Sequence, residues 1–247
     1  MSSFRTITWV EAKLTARNFY PMFFGLVFPV MMLVTFGSIY GNKPSYVYGG
    51  QGTVNASLPA YCVMVVAVTG LMNLPLTMAE YRDRLFLRRL RATPVRPVEY
   101  LTAHLVVNAV TTLAGIALLL VVGVTAFHLQ LTGHGLLFVG VLLLVMASVY
   151  SLGMFVAAVA PNERAATVIA NLLYFPMIFL TGATIPLRLL PSAMRRVADA
   201  LPLTYGVRLL TRAWTGSAPG AVWIDVTVLV GVLLVATAAS VRWFRWE

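Results

Sequence analysis

Six long apolar runs divide the chain, at about 19–40, 57–79, 101–127, 135–160, 165–187 and 221–241. Each is close to the ~20 residues a helix needs to cross ~30 Å of hydrocarbon, where every backbone amide must be bonded within the chain. The pattern predicts an all-α integral membrane protein with six transmembrane helices, and one transmembrane domain over residues 1–247. Two amphipathic segments interrupt it. In residues 4–17, Phe4, Ile7, Val10 and Leu14 share one helical face while Arg5, Trp9, Lys13 and Arg17 lie elsewhere, the pattern of a helix in the membrane interface. In residues 80–97, Arg84, Arg88 and Arg91 follow helical spacing, Phe86, Leu87 and Leu90 form an apolar stripe on a neighbouring face, and Pro94 and Pro97 end any helix.

Finer punctuation refines the spans. Pro21 and Pro29 predict a kink within the first. That run is too long for a signal-peptide core, so it is expected to remain as an anchor. Pro161 to Arg164 reads as a tight turn between the fourth and fifth spans. Residues 188–216 carry Arg188, Arg195, Arg196, Arg208 and Arg212 and read as a re-entrant hairpin, with Ser192 as a helix cap and Met194, Val197 and Leu201 facing lipid or protein. Trp214 and Trp223 are expected at one membrane interface, Trp243 and Trp246 at the other.

Composition supports the membrane reading: 60% of residues are hydrophobic, 11% are charged and the mean hydropathy is +0.85. The net charge of +10 comes without aromatic residues interleaved among Lys and Arg, so nucleic acid is not expected as a partner. Of the 18 basic residues, three precede the first span, six lie in the central segment, one is Arg164 and two follow the sixth span, twelve against six on the opposite side. The positive-inside rule then puts both termini and residues 80–97 in the cytoplasm.

The chemistry of enzymes and autonomous carriers is missing from this pattern. No span carries Asp, Glu, Lys or Arg near its centre; Glu99 and Asp225 sit at span mouths. Ion-coupled carriers use such groups at mid-membrane. There is no phosphate-binding G-x-x-x-x-G-K-[ST] loop and no G-x-S-x-G elbow. His104, His128 and His134 lack metal-ligand spacing and read as interfacial or packing residues; Cys62, the one cysteine, reads as a small packing residue, and the Asn55-Ala56-Ser57 sequon as chance.

At Arg88-Arg-Leu-Arg-Ala-Thr-Pro-Val-Arg-Pro97 the chain resembles the permease subunits of type-2 ATP-binding-cassette exporters, whose second and third spans are joined by a loop ending in Arg-Leu-x-Ala-Thr-Pro. A second resemblance, to the drug and antibiotic exporters of that family, covers Asn171-Leu-Leu-Tyr-Phe-Pro-Met-Ile-Phe-Leu-Thr-Gly-Ala-Thr-Ile-Pro186 and Leu201-Pro-Leu-Thr-Tyr205. The family's Gly-Thr is Leu85-Phe86 here, while Asp83-Arg84 keeps its acidic-Arg pair. The resemblance implies two permease chains in the plasma membrane, homo- or heteromeric, each docked to a cytoplasmic ATPase subunit that holds the ATP and Mg. Residues 80–97 would be the coupling helix, with Arg84, Leu85, Phe86, Leu87, Arg88, Leu90, Arg91, Thr93 and Pro94 touching the ATPase. It also implies that the second and fifth spans line the substrate path, so Asn73, Asn171, Tyr174, Phe175 and Phe179 are candidates there. The exported class would be amphipathic drug-like or lipid-linked compounds. A rival reading keeps the basic helix but makes it a binding site for a regulator or anionic lipid, without transport.

Overall fold

The computed structural model describes residues 3–43, 51–83, 97–181, 191–216 and 222–243. These are almost entirely helical, with six helices long and apolar enough to cross a membrane. In order, α1 (Ser3–Arg17) is followed by a first span made of α2 (Phe19–Met22), a π-helical turn π1 (Phe23–Val27) and α3 (Phe28–Tyr40). The second span is α4 (Thr53–Ala67), a second π turn π2 (Val68–Asn73) and α5 (Leu74–Asp83). The third, fourth and fifth spans lie in α6 (Pro97–Phe127), α7 (Gly135–Val159) and α8 (Glu163–Leu180); the short helices α9 (Ser192–Asp199) and α10 (Pro202–Thr215) then precede the sixth, α11 (Val222–Trp243).

Both π turns have a cause in the sequence. A proline lacks an N–H and its ring strikes the carbonyl four residues back. Pro29 follows π1 and its clash falls on Gly25; Pro75 follows π2 and its clash falls on Leu71. Widening the turn by one residue absorbs the conflict without ending the span. The kink signal in the first span therefore becomes a π turn between Pro21 and Pro29, and the second span carries the same device.

The second span is the axis of the bundle: 78% of its most apolar window is buried, against 22% for the first and sixth. Its Leu58, Cys62, Val65, Leu71 and Leu74 join Val145 and Val149 of α7 and Leu210 of α10 in one core. Polar groups knit the helices where no water competes. Thr69 in π2 bonds Thr112 of α6 at 2.6 Å, and Thr112 bonds Tyr150 of α7 at 2.6 Å. Outward faces stay apolar, as Leu136, Val235 and Val241 show, which suits contact with lipid.

Contacts sort the connections to two ends. At one end, α1 packs beside Tyr81, Tyr100 and Leu101, the α7–α8 turn meets the end of α5, and Trp243 lies near Phe155. At the other, Asn42 bonds Phe127 and Asn55, and Gly133 and His134 bond Ala213 and Trp214.

Two expectations about residues 188–216 need correction within the described part. The cap of α9 is Pro191 and not Ser192, because Ser192 already lies in the first turn. Trp214 is not an interface marker but a core residue: it is 4% exposed, donates to Asn55 Oδ1 at 3.1 Å and packs edge-on against Phe138. That bond also gives the sequon Asn55 an inward role. The arginines of α10 are paired, Arg208 with Asp199 and Arg212 with Asp225 at 2.8 Å.

Candidate functional site

A cavity of about 640 Å³ opens between the first, second and fifth spans. Phe24, Phe28, Met32 and Phe36 form its first-span wall, and Tyr61, Met64, Val68, Met72 and Asn73 its second-span wall. Asn171, Tyr174, Phe175, Ile178 and Phe179 come from α8. All five residues expected on a substrate path, Asn73, Asn171, Tyr174, Phe175 and Phe179, border this one space. Residues 171, 174, 175, 178 and 179 lie at helical spacing on one face, which is why a stretch read in one dimension converges in three. Asn18, Thr77, Glu80 and Glu163 give the cavity a polar mouth at the end where α1 lies. An aromatic, mostly apolar chamber with a few polar groups suits an amphipathic ligand.

The π turns place this chamber. Phe24 belongs to π1 and Val68, Met72 and Asn73 to π2, so both irregular segments border it. Each is backed by a glycine contact. A Cβ on Gly153 of α7 would stand 1.8 Å from the Gly70 carbonyl oxygen, and one on Gly115 of α6 2.8 Å from that of Gly25. The backbones of π2 and α7 meet because neither side has a side chain in the way.

Behind the Asn73 wall lies a buried polar cluster that the sequence pattern did not single out. Glu11 of α1 accepts hydrogen bonds from Tyr100 at 2.8 Å and Tyr81 at 3.3 Å, and its second oxygen lies 3.2 Å from His104 Nδ1. His104 Nε2 is 3.1 Å from Asn108 Nδ2, and Asn73 donates to Asn108 Oδ1 at 2.6 Å. The signal that could have found it was Glu11 itself, an acidic residue at i+4 from Ile7 and i+7 from Phe4. The face of α1 turned to the protein runs through Ile7, Glu11 and Thr15, while Val10 and Leu14 are about half exposed, so the apolar stripe proposed from sequence is not the packed one.

Burial alone would raise the Glu11 pKa, but the hydrogen bonds from His104 and from the two tyrosine hydroxyls outweigh it and hold the carboxyl below its ordinary value of 4.5. A lowered folded-state pKa contributes stability that is complete above the unfolded value and is lost as pH falls through the folded one. Amide exchange over α1, corrected for its intrinsic pH dependence, is therefore expected to stay protected from about pH 7 to about pH 5 and to lose protection only in more acid solution. Loss of protection centred between about pH 6 and 7 would contradict this role of Glu11.

Residues 84–96, and with them Arg84, Leu85, Phe86, Leu87, Arg88, Leu90, Arg91, Thr93 and Pro94, lie outside the described residues. The helix that leads into them is firmly held. Arg82, 8% exposed, donates through Nη1 to the Ala160 carbonyl at 2.7 Å and through Nη2 to the Ala157 carbonyl at 2.6 Å. Asp83 accepts from the Glu163 amide at 2.8 Å, and Asn162 caps α8 by accepting from Ala165. A guanidinium thus sits on the negative end of α7 and a carboxylate on the positive end of α8, the arrangement both helix dipoles favour. Among the described residues no group of His, Cys, Asp and Glu could hold a metal ion.

A profile of the family described as ABC-2 type transporter matches residues 2–213. The chain is similar to the transport permease ycf38 of Porphyra purpurea, at 22% identity over 189 residues, 74% of this chain and 64% of that protein. It is also similar to Nodulation protein J of Rhizobium leguminosarum bv. viciae, at 33% over 95 residues, covering 38% of this chain and 37% of that one. The match spans just under two thirds of the ycf38 permeases.

Proposed function

The chain belongs to the ABC-2 type transporter family, and from that premise we propose that it is the membrane-spanning subunit of an ATP-driven exporter for amphipathic compounds, drug-like or lipid-linked. The observation that carries the substrate side is the aromatic chamber between the first, second and fifth spans, where five polar and aromatic candidates meet. Two such chains pair in the plasma membrane, with both termini and residues 80–97 in the cytoplasm, and ATP and Mg are held by a separate ATPase subunit. Residues 84–94 dock on that subunit: Phe86, Leu87 and Leu90 enter a groove and the arginines pair with its rim. The hold of Arg82 and Asp83 on the α7–α8 turn supports this reading, since a push on the docked segment would reach two spans directly.

Leu90→Glu tests the docking. The variant is expected to insert and purify normally while a co-purified ATPase subunit, its nucleotide turnover and transport are lost together. Normal transport by Leu90→Glu would sink the proposal. Recruitment of a regulator or anionic lipid predicts the reverse, with Arg84, Arg88 and Arg91 changed to Gln abolishing binding and Leu90→Glu leaving it intact.

A further inference from the structure

Glu11, His104, Asn108 and Asn73 form one file of hydrogen bonds that starts on α1, outside the six spans, and ends on the cavity wall. With His104 Nδ1 donating to Glu11, Nε2 accepts from Asn108 Nδ2, whose other hydrogen goes to the His104 carbonyl at 2.9 Å. Asn108 Oδ1 then accepts from Asn73 Nδ2. Every donor in the file points toward the carboxylate, so each bond reinforces the next. Glu11, His104 and Asn108 are 3%, 2% and 0% exposed, so none of these three can exchange its partner for water without opening the structure, while Asn73 borders the cavity.

We propose that Glu11 and His104 are positioning residues for the cavity: through Asn108 they fix the Asn73 carboxamide as the contact that orients a ligand's hydroxyl or amide group, and they link that contact to the seating of α1. The idea rests on reading the cavity as the substrate path. The surrounding Phe24, Phe28, Phe175 and Phe179 supply apolar area without direction. A directional contact must come from a polar group held in one orientation, and Asn73 is held by a neighbour that is itself held. Linkage is reciprocal: whatever keeps Asn73 in its bonded orientation also keeps α1 down, and releasing α1 frees Asn73.

The reciprocity gives a test that needs neither ATPase nor substrate, so it can fail while transport stands, and stand while transport fails. Hydrogen exchange is measured on the full chain in lipid nanodiscs, with the amides of α1 as readout and those of α7 as internal reference. Glu11→Gln and Asn73→Ala are each expected to speed exchange in α1 by at least about fivefold, the loss of one buried hydrogen bond. The double variant should exchange no faster than Glu11→Gln alone, because both substitutions cut the same file. Phe179→Ala, on the same cavity but outside the file, should leave α1 unchanged. An unchanged α1 in Asn73→Ala, multiplying effects in the double variant, or an α1 response to Phe179→Ala overturns the proposal. If Asn73→Ala loosens α7 as well, Asn73→Gln, which keeps the carboxamide but displaces it, replaces it and must meet the same criteria.

Discussion

Gly153→Ala is expected to prevent the bundle from closing. The added methyl would lie 1.8 Å from the Gly70 carbonyl oxygen and 3.5 Å from Pro75 Cδ. Neither neighbour is the free end of a flexible side chain, and both belong to the most buried span. Relief requires α7 and π2 to separate, which would also pull on the bond between Thr112 and Tyr150. Overpacking of a side chain costs about 1–3 kcal/mol; a backbone obstruction should exceed the top of that range. The expected result is protein that aggregates or elutes polydisperse in mild detergent. Gly140, on the same helix, meets nothing within 4 Å of an added Cβ. Gly140→Ala should therefore be neutral, or stabilising by up to about 1 kcal/mol through helix propensity. Equal melting temperatures for the two variants would show that the π2–α7 contact does not hold the bundle.

That contact also shows what the sequence could and could not convey. Six spans were legible because hydrocarbon imposes length and apolarity on each of them, and the described helices fall on the six runs. The π turns were half legible: Pro29 and Pro75 mark where an α-helix cannot continue unchanged, yet a proline alone does not choose between a kink and an extra residue per turn. The pairing of Gly70 with Gly153 was not legible, since neither glycine carries a local signal and the contact exists only once two helices have a register.

Site residues divide in the same way. Asn73, Asn171, Tyr174, Phe175 and Phe179 were named from the family resemblance, which assigns the path to the second and fifth spans; that they border one cavity follows from the shared helical face of the four on α8 and from the packing of the second span against it. Glu11 and His104 escaped because each is unremarkable by itself. A carboxylate in a short amphipathic helix reads as a solvated face, and a histidine near a span mouth reads as packing. Their burial depends on α1 folding back against α6, a choice made by tertiary contacts and not by the helical period of residues 4–17. Arg208 and Arg212 entered the sequence reading only as charge counted along the chain, whereas Asp199 and Asp225 meet them in space.

Arg82→Ala is expected to uncouple the protein rather than merely weaken it. The substitution strands the carbonyls of Ala157 and Ala160 at the buried end of α7 and leaves the Asp83 bond to α8 as the remaining member of the clamp. Hydrogen bonds to a charged group are worth about 1.5–3 kcal/mol each, though water reaching the helix end would return part of that, so a net loss of about 2–4 kcal/mol is expected. The functional loss should be larger in proportion. On the proposed docking of residues 84–94, a push on that segment would no longer reach α7 without the guanidinium, and a co-purified ATPase should turn over nucleotide with transport reduced about tenfold or more. Arg82→Lys separates geometry from charge, since an ammonium keeps the positive end but cannot span two carbonyls as the planar fork does. It should recover the melting temperature in part and transport poorly. If Arg82→Lys transports like the parent protein, Arg82 contributes charge and topology alone, and the path from the docked segment into the bundle must run through α8 and Asp83 instead.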